Sequence, residues 1–477
     1  MDSEIARTAT DVALARAAEL AREWVAGLHD RRVGPTATVA DLRDRLDGPL
    51  PEHGEDPVAT IEALADGAEG GLVASAGPRY FGFVIGGGLP AAVGADWLAS
   101  VWDQNAALYV AGPAAAVAEE VAGRWAAELF GLPAGVSVGL TTGATMASFT
   151  ALSAGRHALL EAAGWDVERL GLFGAPEVPV VVGEEAHVTI HAALQMLGMG
   201  RDRVTRVAVD GQGRMRADAL AVVLGQLDRP ALVCAQAGNV NTGAFDPLPE
   251  ISDLVRANGG WLHVDGAFGL WAAVDPARRH LLAGVDRADS WTTDAHKWLN
   301  VSYDSGLVFC SRPAAHHGAM TLGAAYYVET GGAERDPYNW VAESSRRARG
   351  FPVWAAIRSL GRDGVAELVG RTCDLARRFA AELDGAPGLG IRVLNDVVLN
   401  QVLVRLDDPS GDPAAGDART AAAIAAIQSD GTLWLGGSTW HGQRVMRISV
   451  SGWRTTVEDV DRSAAAIRRI AEQVARG

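Results

Sequence analysis

The hexapeptide DAHKWL at 294–299 contains the only lysine in a chain of 477 residues. Lysine and arginine together number 42, so the other 41 strong cations are arginines (42 − 1). Arginine replaces lysine wherever a positive charge on a long stem suffices. It fails where the nitrogen must lose its proton and attack a carbonyl: a guanidinium stays charged, whereas a buried ammonium gives up its proton readily. Lys297 is therefore a candidate Schiff-base amine, with two ionisable neighbours, Asp294 and His296.

Three other stretches carry groups that such an amine could work with. Asp265 ends the apolar run WLHVD, 32 residues before Lys297 (297 − 265). A carboxylate at the end of a buried strand needs a cation or hydrogen bonds, and a protonated pyridine nitrogen supplies both. In TTGAT at 141–145, Gly143 allows close backbone approach, and Ala144 and Thr145 open a helix whose free N–H groups suit a phosphate. His187, in EEAHVTI, offers a flat imidazole just before another helix. Each feature alone also has an ordinary use as a cap, a core residue or an ion pair. Together, phosphate anchor, ring-nitrogen partner, stacking group and amine are the parts that pyridoxal 5′-phosphate requires.

The elements that must position these residues follow from periodicity. From about residue 113, short β-branched runs alternate with amphipathic helices: VSVGL, VPVVVGEE, RVTRVAVD, ALVCAQAG and WLHVDGA, then SGLVFCSR beyond the lysine. This alternation predicts a largely parallel sheet covered on both faces, with ligands at the strand carboxyl ends. The four candidate stretches all fall at such ends. Residues 4–27 have helical spacing, followed by an irregular segment to about 56 and a short helix. Beyond about 352 a long helix leads to the strands IRVLND, LNQVLVRL and VMRISVS, with helices expected at 417–429 and 457–475 and an exposed loop at 407–417. The resulting division is an N-terminal helical arm (1–75), a large domain (76–360) and a small C-terminal α+β domain (361–477).

Composition excludes several classes. A formal charge of −16 disfavours nucleic acid and anionic membrane as partners. Cys234, Cys310 and Cys373 lie far apart with no CxxC spacing, so neither a zinc site nor a disulfide framework is expected. The N-terminus lacks a signal peptide or apolar span, and a cytoplasmic protein is the expectation.

From GPRYFGF (77–83) to VMRISVSGWRTT (445–456) the chain resembles the group II pyridoxal-phosphate-dependent amino-acid decarboxylases, which include glutamate, aromatic-amino-acid and diaminobutyrate decarboxylases. TTGATMASFTALSAGR, EEAHVTIHAA, WLHVDGAFG and ADSWTTDAHKWL carry the likeness, the last most specifically. The resemblance implies the fold-type I transferase architecture: a mainly parallel seven-stranded sheet, helices on both faces, and a small C-terminal domain. It implies that Lys297 forms the Schiff base, Asp265 faces the pyridine nitrogen, and Ala267 and His187 take opposite ring faces. Gly143, Ala144, Thr145 and His296 would bind the phosphate, with Asp294 and Asn239 also in the cofactor site. Tyr326, in GAAYYVET, would protonate the substrate carbon, with Tyr327 beside it as the alternative.

The implied activity is decarboxylation of an L-amino acid to an amine, by a homodimer joined through its N-terminal arm. Oxidative decarboxylation to an aldehyde, carbon–carbon lysis, and a non-catalytic homologue share the same cofactor residues. Substrate identity is left open, because Gly77, Asn239, Val188 and Thr189 depart from the family pattern. Tyr80, Phe81, Phe83 and Trp102 are candidates for lining a side-chain pocket, with a weak preference for an apolar or aromatic substrate. Arg447, on the strand run MRISVS, is read first as one half of a structural ion pair, with a substrate carboxylate as the alternative partner.

Overall fold

The computed structural model describes residues 3–321, 334–384 and 388–476. Seven strands form the large sheet: β1 Ser137–Thr141, β2 Val180–Gly183, β3 Val204–Val207, β4 Leu232–Gln236, β5 Trp261–Asp265, β6 Ser290–Asp294 and β7 Gly306–Cys310. Their order is β1-β7-β6-β5-β4-β2-β3. Neighbours from β6 to β3 pair in parallel, while β7 runs antiparallel to both β1 and β6. A parallel sheet needs cover on both faces, and alternate residues of each strand accordingly enter different cores. Val181, Val233 and Leu262 join one cluster, whereas Val180, Val182, Leu232 and Trp261 join the other. Each such fully buried apolar side chain stabilises the fold by about 1.5–3 kcal/mol.

The reversed strand β7 brings the candidate site together. Its first residue, Gly306, pairs with Thr141 at the end of β1 and with Asp294 at the end of β6. The loop TTGAT and the segment DAHK thus become neighbours although 150 residues separate Ala144 from Asp294. Gly306 has to be glycine here, since a Cβ would lie 2.5 Å from Gly143 Cα. On the other side of β6, Asp265 of β5 is in register with Thr292.

Four more strands, β8 Ile391–Val393, β9 Gln401–Leu406, β10 Gly436–Trp440 and β11 Gln443–Ser449, make an antiparallel sheet ordered β10-β11-β9-β8. Val402, Val404, Met446 and Ile448 pack against helices Pro413–Asp430 and Val457–Arg476. The long helix Gly350–Asp384 is broken by a non-helical Gly361 at φ 63°. N-terminal helices Ser3–Gly27 and Pro57–Ala68 are joined by an Arg16–Glu62 ion pair at 2.7 Å.

Several elements differ from the sequence reading. Residues 39–46 form a helix, closed by a Thr38–Asp41 capping box, inside the segment expected to be irregular. A further helix, Pro313–Met320, comes after β7, where no periodicity was evident. The expected loop at 407–417 ends at Asp412, because Asp412 caps a helix that has Pro413 in its first turn. Strands β6 (SWTTD) and β10 (GGSTW) lack the apolar run of the other strands, although β6 contains strand-favouring Trp and Thr; tertiary pairing places them.

Candidate active site

Lys297 lies just past the end of β6. The chain turns tightly there, with Ala295 and His296 N–H both donating to Ser305 O at 3.0 and 3.2 Å. The turn folds the lysine back, so that its Nζ is 3.0 Å from Asp294 Oδ2. Asp294 Oδ1 accepts the N–H of Ala144 at 2.6 Å and faces His296 Nε2 at 3.6 Å. Ser305 N–H donates to His296 Nδ1 at 3.1 Å, so the neutral ring carries its proton on Nε2, toward Asp294. Burial holds the His296 pKa below its ordinary value, and the nearby Asp294 charge only partly offsets this. The ring of Tyr303 stacks on His296 at 4.3 Å.

Asp265, at the end of β5, is 5% exposed. One of its oxygens accepts Ala267 N–H at 3.1 Å, and no cation pairs with it among the described residues. Ala267 also stitches the two strand ends together, its carbonyl accepting Asp294 N–H at 2.9 Å. His187 caps the helix Val188–Met196, with Nδ1 2.8 Å from Thr189 Oγ1. Its pKa is lowered, chiefly by burial; Asp265 opposes the shift, while Lys297 and Arg447 reinforce it. A neutral imidazole therefore stands among those groups.

The loop before helix Ala144–Ala162 forms a shallow cradle. A Cβ on Gly143 would lie 3.2 Å from His296 Cε1 and 3.5 Å from Asp294 Oδ1. No side chain of the loop caps the helix, and the Thr145 hydroxyl has no hydrogen-bond partner among the described residues.

The structure thus gathers Gly143, Ala144, Thr145, His187, Asp265, Ala267, Asp294, His296 and Lys297. Asn239 is committed elsewhere: its amide donates to Glu185 at 3.0 Å, and its oxygen accepts Asn241 and Thr242 N–H at 2.9 and 3.2 Å. Tyr326 and Tyr327 lie outside the described residues. Phe81 is core rather than pocket, 0% exposed and edge-on to Phe379. Trp102 instead packs on Phe351.

Three residues that organise the surroundings of the site carry no sequence signal. Trp434 stacks on Tyr80 at 5.1 Å and meets Phe83 at 5.4 Å, a pairing of residues some 350 positions apart that no local pattern announces. Tyr303 is the second. Glu185 is the third, holding Asn239 together with Trp440 and His441 of the β10–β11 hairpin. Arg447, on β11, points away from the face that Met446 and Ile448 bury, and it has no carboxylate partner among the described residues.

These residues fit pyridoxal phosphate on two structural grounds. Asp265 is a buried carboxylate without a cation among the described residues, the environment a protonated ring nitrogen would complete. The glycine cradle opens beside the lysine that would bond the aldehyde.

Comparison with known proteins agrees. The pyridoxal-dependent decarboxylase conserved domain matches residues 40–406. An aromatic-L-amino-acid decarboxylase of Bacillus atrophaeus is 28% identical over 379 residues, covering 78% of this chain and 76% of that protein. An L-2,4-diaminobutyrate decarboxylase of Rhizobium meliloti is 28% identical over 440 residues, 91% of this chain and 86% of that protein. The fold matches Oryza sativa TDC, solved with PLP and tryptamine, at a TM-score of 0.90 and 21% identity, with 99% of each chain covered. The chain belongs to the pyridoxal-dependent decarboxylase family, and is a carboxy-lyase that uses pyridoxal phosphate on an amino acid.

Proposed function

We propose that the protein converts an L-amino acid to its amine and CO2, with Lys297 as the residue that bonds the cofactor. The observation that carries this reading is the sole lysine held 3.0 Å from Asp294, at the strand end next to Asp265, which has no cation among the described residues. When bound, the cofactor supplies an electron sink for the pair released as the carboxylate leaves.

The chain's own residues do the rest. Asp265 would pair with the cofactor's ring nitrogen and favour its protonated form. His187, neutral and half-buried, and Ala267 would hold the cofactor ring between them. Gly143, Ala144, Thr145 and His296 seat the phosphate. Arg447, half-buried and lacking an acid partner among the described residues, offers its charge to a substrate carboxylate. Tyr326 donates the proton that the substrate carbon takes up. Tyr80, Trp434 and Phe83 form an aromatic wall, which favours an apolar or aromatic substrate side chain.

The assembly reading is a homodimer formed with the helical arm (1–75), the large domain (76–360) and the small domain (361–477). It is supported by Trp97, Leu98, Val101 and Trp102, a stripe of exposed apolar side chains on helix Pro90–Trp102. Cytoplasmic residence is supported by the three buried free thiols. No helix among the described residues is long and apolar enough to cross a membrane.

A CO2-release screen over the proteinogenic amino acids, diaminobutyrate and ornithine, with products identified by mass spectrometry, tests the activity. Amine with stoichiometric CO2 is expected from at least one substrate, whereas aldehyde would select the oxidative route. Tyr326→Phe should keep cofactor binding and shift the product from amine toward aldehyde; unchanged amine formation would remove Tyr326 from its role.

A further inference from the structure

The amide at the start of helix Ala144–Ala162 already has an anion on it. Ala144 N–H donates to Asp294 Oδ1 at 2.6 Å. Asp294 is held there by its own backbone, its N–H donating to Ala267 O at 2.9 Å and its carbonyl accepting Trp271 Nε1 at 3.1 Å. The residue is 2% exposed, so water screens its charge little. Lys297 Nζ, 3.0 Å from the second oxygen, is the one full positive charge in contact with it among the described residues. His296 Nε2, at 3.6 Å, contributes a dipole rather than a charge, because burial keeps that imidazole neutral.

Resting on the reading of this place as the cofactor's phosphate seat, we infer that Asp294 is a resident competitor for the phosphate. Its carboxylate occupies the helix amide that the phosphate needs, and its charge opposes the phosphate charge. The chain therefore holds pyridoxal phosphate less tightly than its donors alone would allow. One N–H at 2.6 Å serves one anion well, and two anions at a single helix terminus repel each other in a site with little water. Because the Asp294 backbone is pinned on both sides, the carboxylate can yield only by turning about its Cα–Cβ bond, which breaks the contact with Ala144.

The test is an equilibrium titration of cofactor-free wild type, Asp294→Asn and Asp294→Ser with pyridoxal phosphate and, separately, with pyridoxal. Binding is followed by cofactor absorbance and tryptophan quenching. Pyridoxal controls for any effect on Lys297, since both aldehydes need that amine. Asn keeps an oxygen for Ala144 N–H but removes the charge. The ratio of phosphate-bearing to phosphate-free affinity should rise about ten-fold or more in both variants, as expected for loss of a like charge at close range.

A ratio that stays constant or falls in the variants overturns the inference. Should neither variant fold, the wild-type ratio decides. A phosphate contribution below about 1,000-fold agrees with an opposed seat, and a larger one contradicts it. Failure of wild type to take up either aldehyde would overturn the site assignment itself, and the competition with it.

Discussion

Two buried carboxylates end neighbouring strands and are in opposite states. Asp294, at the end of β6, touches the Ala144 amide, the Lys297 ammonium and the His296 ring. Asp265, at the end of β5, has one backbone amide and no cation among the described residues. The difference comes from the path of the chain beyond each strand. After Asp294 the chain turns onto Ser305 and brings a lysine back three residues later, whereas after Asp265 it continues into Gly266 and Ala267. A buried carboxylate left without a cation is costly, and it persists where a ligand completes it. One strand end is therefore preassembled by the protein, and the other awaits its partner.

Breaking the preassembled end should have the largest effect. Lys297→Arg keeps a cation beside Asp294 but removes the only nucleophilic side-chain amine, so CO2 release should fall to background. Asp265→Asn probes the waiting end. It should lower kcat by about 10²–10³-fold, as for loss of a preorganised charge facing the reacting system, while the cofactor stays bound by absorbance. A kcat within a few-fold of wild type would mean that the ring nitrogen does not depend on Asp265.

Gly306→Ala tests the juxtaposition itself. A Cβ 2.5 Å from Gly143 Cα must push β7 from the phosphate loop, costing about 1–3 kcal/mol in denaturant unfolding and weakening cofactor retention. The smallest effect is in pH dependence. Burial lowers His263, two residues before Asp265, and His316 to about 3 from the ordinary 6.5. The unfolded chain gains these protons as pH falls through 6.5, and the folded chain gains them only near 3. Their contribution is thus complete above 6.5 and is lost as pH falls, at up to about 1.4 kcal/mol per pH unit for each histidine. His263→Asn should flatten the stability slope between about pH 6 and 4 by one proton; an unchanged slope would show that His263 titrates in the folded state.

The sheet, its alternation with helices and the lysine-bearing turn were legible because each depends on short-range pattern or on one irreplaceable side chain. Asn239 was not, since its use depends on Glu185, a residue 54 positions away. Strand β6 was missed because SWTTD, despite its strand-favouring Trp and Thr, lacks the apolar run of the other strands, although its end carries the reactive segment. Trp434 belongs to the C-terminal region and meets Tyr80 only through tertiary packing. The Asp294–Ala144 contact was invisible for the same reason, because an antiparallel strand that starts at Gly306 creates it.

The central claim is that Lys297 carries the cofactor. Borohydride reduction of the loaded enzyme, followed by peptide mass mapping, tests it most directly, because the chain offers a single side-chain amine. The account predicts a stable pyridoxyl group on Lys297 in wild type and none in Lys297→Arg. A modification at the N-terminal amine alone, or no covalent label on a protein that binds the cofactor and releases CO2, would contradict it.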